Sequence, residues 1–347
     1  MASFNRLDPS DFVISSDAIS ATLWSTQTPQ LSTFFTSSTQ EVGSSGDYYL
    51  SVYQTGSTLS NAAVQFDIAY GNALGSGSLV YNSIINGLSP TATIFGQYQD
   101  LVLGDENTNF TFGTITSSEF YAISFERARY KNALLLGSLT LQIKGPIAAS
   151  GSVTLTDNSG YISTVTFTEA GRVFQLVSGS AGTANTSRQA SGYTTDSGSY
   201  GWLLPDIGTI LLNPKALSAP TSSGGIGFVY SGSATGSSVP NISPMATLYQ
   251  AISGSADFQI NSQETITSDY IFIRARSSEF NYSENPSFIS GSTGEVLYNS
   301  FINSPQTYIT TIGLYNDTNE LLAVAKLSRP LPKNFTSEAL IRIKLDF

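Results

Sequence analysis

Two Arg-Ala-Arg triplets and two oxygen-rich runs are the parts of this sequence whose residue types and spacing suit specific chemistry. Arg127 and Arg129, like Arg274 and Arg276, stand at i, i+2 beyond an apolar strand-like run. On a strand that spacing puts both guanidinia on one face. Such a face either lies in solvent beside local acids such as Glu126 and Glu279, or forms an intersubunit salt-bridge patch, a place where arginine is favoured. Asp105-Glu106-Asn107-Thr108-Asn109 has the alternate oxygens that open a calcium loop. Its sixth position is Phe110 rather than glycine, however, and its twelfth is Thr116 rather than glutamate. The expectation is a turn whose Asx side chains bond their own backbone. Asn316-Asp317-Thr318-Asn319-Glu320 reads in the same way, as the connection of a hairpin between residues 310–315 and 321–327.

Little else in the chain is reactive. Its 347 residues include no His and no Cys, and only 12% are charged. That removes an imidazole base, a thiolate nucleophile, Cys/His zinc sites and a disulfide framework. A serine nucleophile would need lysine as its base, and no lysine stands in a Ser-x-x-Lys motif. No phosphate-binding or dinucleotide fingerprint occurs. Two of the 25 acids could still meet as a glycosidase pair. The expectation is a non-enzymatic protein without cofactor or metal. A net charge of −10 argues against nucleic acid and anionic membrane surfaces as partners. No apolar run is long enough for a transmembrane helix, and residues 1–17 show no signal-peptide core.

The elements that would position these residues are mostly strands. Residues 64–70, 121–125, 139–144, 165–168 and 341–347 alternate apolar and polar side chains, the period of a strand with one face on a core and one in water. Gly-, Ser- and Asn-rich turns separate them. Short helices are expected at residues 17–24 and 244–252. The fold class expected is mainly β: two or more antiparallel β-sandwich-like units with long polar Gly/Ser/Thr loops and few short helices. The organisation expected is an N-terminal arm (1–43), a first β unit (44–145), a β insertion or linker region (146–245) and a C-terminal β unit (246–347). Residues 178–201 and 218–243 read either as plain loops or as loops that order against a neighbouring subunit. The chain also echoes itself: Tyr81-Asn82-Ser83-Ile84-Ile85-Asn86 returns as Tyr298-Asn299-Ser300-Phe301-Ile302-Asn303. At the same offset Gly96, Tyr98 and Asp100 match Gly313, Tyr315 and Asp317. A permuted duplication and chance in a biased composition both account for this.

Thr307-Tyr308-Ile309-Thr310-Thr311-Ile312-Gly313-Leu314-Tyr315-Asn316-Asp317, the run 320–330 and the closing run 340–347 together resemble the C-terminal module of virion structural proteins of contractile-tailed phages. The similarity is particularly to T4-like phages of marine cyanobacteria. Residues 4–24, 34–38, 64–70 and 274–288 resemble the same family. The resemblance covers most of the chain, most strongly 265–347 and least 146–245. It implies a part of the virion, of the tail and baseplate, with no catalytic residues, whose partners are other phage structural proteins and copies of itself. A neck, collar or head-surface position is an alternative. A lectin-like fibre module that stacks a carbohydrate receptor on Tyr, Trp24 or Trp202 is another. The expected contacts between subunits are Arg127, Arg129, Arg274, Arg276 and Phe347, with the C-terminal strand adding to a neighbour's sheet edge.

Overall fold

The computed structural model describes residues 4–37, 48–75, 90–145, 151–185, 199–228, 244–255, 257–282 and 285–346. The chain divides into two compact units, unit 1 comprising Met1–Ala18 and Thr265–Phe347, and unit 2 comprising Ile19–Glu264.

The chain is mainly β. It begins with β1 (Phe12–Thr22), β2 (Phe35–Ser37), β3 (Leu50–Tyr53) and β4 (Val64–Asn72). Helix α1 (Thr91–Leu103) follows, then the small hairpin β5 (Phe110–Phe112) and β6 (Ile115–Ser117), β7 (Glu119–Phe125), the one-turn helix α2 (Arg127–Tyr130) and β8 (Ala133–Leu134). Next come β9 (Thr140–Lys144), β10 (Ser152–Asp157), β11 (Thr166–Thr168), β12 (Gly171–Ser180) and β13 (Thr183–Ala184). β14 (Gly201–Leu204), β15 (Thr209–Leu212), helix α3 (Pro214–Ser218), helix α4 (Pro244–Ser253) and β16 (Phe258–Gln259) complete that part. β17 (Asn261–Ala275), helix α5 (Asn299–Asn303), β18 (Gln306–Tyr315), β19 (Leu321–Asn334) and β20 (Ala339–Asp346) end the chain.

Unit 2 is built on one large antiparallel sheet with the order β16-β9-β10-β12-β14-β15-β7-β4-β3-β2. The sheet curls. Just ahead of β2, Gln30 bridges Gln259 and the Leu31 N–H donates to the Phe258 carbonyl at 3.0 Å, so the two ends of the strand order meet. The period of two decides which side chains fill the hollow. Phe66, Ile68 and Tyr70 of β4, Tyr121, Ile123 and Phe125 of β7, and Ile210 and Leu212 of β15 all join one core. Their neighbours Ala69, Phe120, Ala122 and Leu211 join a second core on the opposite face. Helix α4 packs on both β4 and β9, which are far apart in the strand order, and it gives Met245, Leu248, Ala251 and Ile252 to the first core. Helix α1 covers the other face with Ile94, Phe95 and Val102. It ends at Gly104, whose left-handed φ of 68° lets its N–H reach the Gln99 and Asp100 carbonyls.

Two expectations need correction here, and the self-echo finds no support as a duplication. Residues 64–70 and 121–125 do not have a face in water, because helix α1 and the β5–β6 hairpin cover it. Their polar positions bond under that cover instead: the Tyr98 hydroxyl lies 2.9 Å from Ser124 Oγ, which lies 3.2 Å from Thr209 Oγ1. Residues 17–22 are not helical; they continue β1 and leave only Trp24 and Leu23 to the core. The self-echo pairs unlike structures, since Gly96, Tyr98 and Asp100 lie in α1 whereas Gly313 and Tyr315 lie in β18. Its first half, residues 81–86, falls outside the described residues. The helix expected at 244–252 is present as α4.

In unit 1 the strands β1, β17 and β20 lie side by side in that order. β17 and β20 pair antiparallel from Ser268↔Asp346 to Ala275↔Ala339. β18 and β19 form a separate two-stranded sheet. In β20 the expected alternation holds: Ala339 and Ile343 are buried while Leu340, Arg342 and Lys344 are exposed.

Candidate functional site: an exposed strand surface in unit 1

The hairpin β18–β19 is the longest regular feature of unit 1. Its register runs from Gln306↔Asn334 to Tyr315↔Leu321, with irregularities after Ile309 and after Leu314. The turn is the one its residue types require. Asn316 Oδ1 accepts from the Thr318 N–H at 3.1 Å and the Glu320 N–H at 2.8 Å, and Asn319 takes a left-handed φ of 61°. Directly paired residues share a face. Ile312 with Ala325 and Leu314 with Ala323 form a half-buried face, while Gly313 with Val324 and Tyr315 with Leu321 form an exposed one. Tyr308, Leu322 and Val324 are 61%, 68% and 58% exposed. Among the described residues no third strand joins the hairpin, so both of its edges carry unpaired backbone groups. A two-stranded sheet of this kind is marginal in water by itself.

The N-terminal segment extends this surface. Phe4 packs edge-on against Tyr315 with ring centroids 5.0 Å apart, and Asn5 Nδ2 donates to Glu279 Oε2 at 3.0 Å. Residues 4–18 therefore lie on their own chain's unit 1. In β1, Phe12, Val13 and Ile14 are all at least 46% exposed. The outer face of β17–β20 is basic and aromatic. Arg342 lies 5.4 Å and the Lys344 amine 6.0 Å from the centre of the Tyr270 ring. The Lys344 amine donates to the Asp346 carboxylate at 2.8 Å, which raises the Lys344 pKa and lowers that of Asp346.

The predicted contact residues fall in different places. Arg274 is exposed on β17, and Arg276 stands just beyond the strand, where its backbone N–H donates to Glu279 at 2.9 Å. That bond, with the one from Asn5, holds the Glu279 carboxyl below its ordinary range. Arg127 and Arg129 do not share a strand face, because they lie in helix α2, where an i, i+2 pair diverges. Arg127 stacks 4.6 Å over Tyr130 and donates to the Lys131 carbonyl. Arg129 Nε is buried without a hydrogen-bond partner. Phe347 lies outside the described residues. The two triplets thus belong to different units and only Arg274 stands on the exposed strand surface. What the sequence reading missed is the apolar character of that surface, although Tyr308, Leu322 and Val324 were all in view.

Asp105 forms the expected turn: Oδ1 accepts from the Asn107 N–H at 2.9 Å and Oδ2 from the Thr108 hydroxyl at 2.6 Å, bonds that lower its pKa. Among the described residues no three acids gather to hold a metal. Trp24 and Trp202 are no platforms for a sugar, since they are 2% and 7% exposed inside the two cores of unit 2. A polar open groove of about 720 Å³ does border β10, β12 and β13, lined by Ser152, Thr154, Ser180, Thr183, Asn185 and Asp257. The chain matches no family model, no curated protein and no solved structure.

Proposed function

We propose that this chain is a non-enzymatic structural component of a phage virion, of the tail and baseplate, that works by burying the strand surface of unit 1 against neighbouring subunits. The observation that carries this reading is the contrast inside unit 1. Ile271, Ala275, Ala339 and Ile343 are its buried apolar residues among those described, while Tyr308, Leu322, Val324 and Leu340 stand more than half exposed. Exposed apolar strands with free edges are a surface made for contact. Copies of the chain and other structural proteins of the particle are the partners this surface suits. The resemblance of residues 307–330 and 340–347 to virion proteins supports the same reading. The test is to raise antibodies to the purified chain and label purified phage particles. Gold at the tail end is the expected result. Label confined to the neck or head would move the chain elsewhere in the particle, and its absence from particles would end the proposal.

A second reading has one observation in its favour. Beside the polar groove, the Tyr161 hydroxyl is fixed by the Gly182 carbonyl and the Ala184 N–H, and its ring is 55% exposed. Hydroxyls, an amide, an acid and an exposed aromatic ring are what a saccharide-binding fibre module presents. Glycan binding by the isolated protein, lost on Tyr161→Ala, would favour it.

A further inference from the structure

Lys333 is the one fully buried lysine among the described residues. Its amine, near the end of β19, donates to three neutral oxygens: the Ser277 carbonyl at 3.0 Å, the Asn334 carbonyl at 2.9 Å and Asn281 Oδ1 at 2.9 Å. Asn281 is itself only 4% exposed, and its Nδ2 donates to the Ser277 carbonyl at 2.5 Å. The carboxamide is therefore held in one orientation beside the amine, with water excluded. Its carbon is one carbonyl bond, about 1.2 Å, from the oxygen that the amine already touches, which puts the two reacting atoms within about 4 Å.

We propose that Lys333 and Asn281 join in an intramolecular isopeptide bond. The Lys333 ammonium loses one proton to solvent, and the neutral amine attacks Asn281 Cγ. A second amine proton passes to Nδ2 and the Cγ–Nδ2 bond breaks. The ammonia released takes up a proton from solvent and leaves as ammonium. One C–N bond forms, one breaks, and nothing is oxidised or reduced, so the step needs no co-reactant. The bond ties the base of the β18–β19 hairpin to the loop after β17. It supplies by covalent means the hold that unit 1 lacks in buried apolar area.

Intact-mass measurement of the purified full-length chain tests this. The expected mass is that of the sequence less one ammonia, with a protease fragment that links residue 281 to residue 333. The full sequence mass, or an ammonia loss that maps to any other residue, overturns the proposal. Lys333→Met and Asn281→Ala should each carry the full mass. Because either variant could also unfold unit 1, Lys333→Arg, which keeps the charge and the donors but has no nucleophilic amine, provides a milder test. It should carry the full sequence mass, and an ammonia loss between residues 281 and 333 in this variant would overturn the proposal.

Discussion

Unit 2 surrounds Trp24 with Phe66, Phe125 and Phe258 and leaves none of the four more than 5% exposed. Unit 1 has as many aromatic residues to draw on in its last strands, yet Tyr308 and Tyr315 are 61% and 45% exposed. The difference is one of topology. A curled sheet has a hollow that closes on its own side chains, and helices α1 and α4 cover what remains. A two-stranded hairpin has no hollow, so its apolar residues are covered only by something else. Hydrophobic burial is the main favourable term in folding. Unit 2 therefore carries its own stability, and unit 1 draws stability from hydrogen-bonded ties such as Lys333; the proposed assembly would add contacts beyond the chain.

Mutations can break this comparison, and the largest effect belongs in the core of unit 2. Phe66→Ala should lower its unfolding free energy by about 3–5 kcal/mol, seen as a lower midpoint in urea. Val324→Asp on the hairpin should move the same midpoint by no more than about 0.5 kcal/mol while preventing incorporation into particles. Equal losses of stability from the two changes would erase the distinction between the units.

Two charged groups sharpen the picture of unit 2. Arg172 grips Asp206 through Nε at 3.1 Å and Nη2 at 2.5 Å. Burial alone would raise the Asp206 pKa, but the bonds from Arg172 outweigh it and the net shift is downward. The pair then adds stability above the ordinary carboxylate pKa of 3.8 and loses it as pH falls through the lower folded value. Asp206→Asn should cost about 1 kcal/mol at neutral pH, since the pair is partly in solvent, and the cost should shrink in acid thermal melts. Asp67 behaves in the opposite sense. Burial, helped by the charge of Glu126 and opposed by Ser51, raises its pKa, and Oδ1 has no partner. The folded state favours the protonated form, so stability falls as pH rises through the raised value. Asp67→Asn should stabilise the fold at neutral pH by up to about 1 kcal/mol, an advantage that vanishes below pH 3.8. A neutral-pH loss on Asp67→Asn would contradict the desolvation argument.

Local patterns were the legible part of this fold. The period of two in residues 341–346, the Asx turns at Asp105 and Asn316, and helix α4 follow from short-range residue types, and each is present. Which faces meet water was not legible. The row that contains Asp67 and Ser124 reads as solvent-facing, and these two residues are half-buried because a helix from residues 91–103 packs over the row. That helix was hidden by Gly96 at its centre and by its turn-rich surroundings. Arg127-Ala128-Arg129 and Arg274-Ala275-Arg276 are the same triplet in helix and in strand, so spacing alone could not place their guanidinia. Lys333 gave no signal because a buried lysine and a surface lysine look alike until the loop at 277–281 is seen to wrap it.

Hydroxyl-radical footprinting of purified particles beside the free chain tests the central claim most directly. Tyr308, Leu322 and Val324 of unit 1 should lose most of their reactivity in the particle, while Tyr161 of unit 2 keeps its own. Equal labelling of Tyr308, Leu322 and Val324 in both samples would contradict the assignment of this surface to assembly.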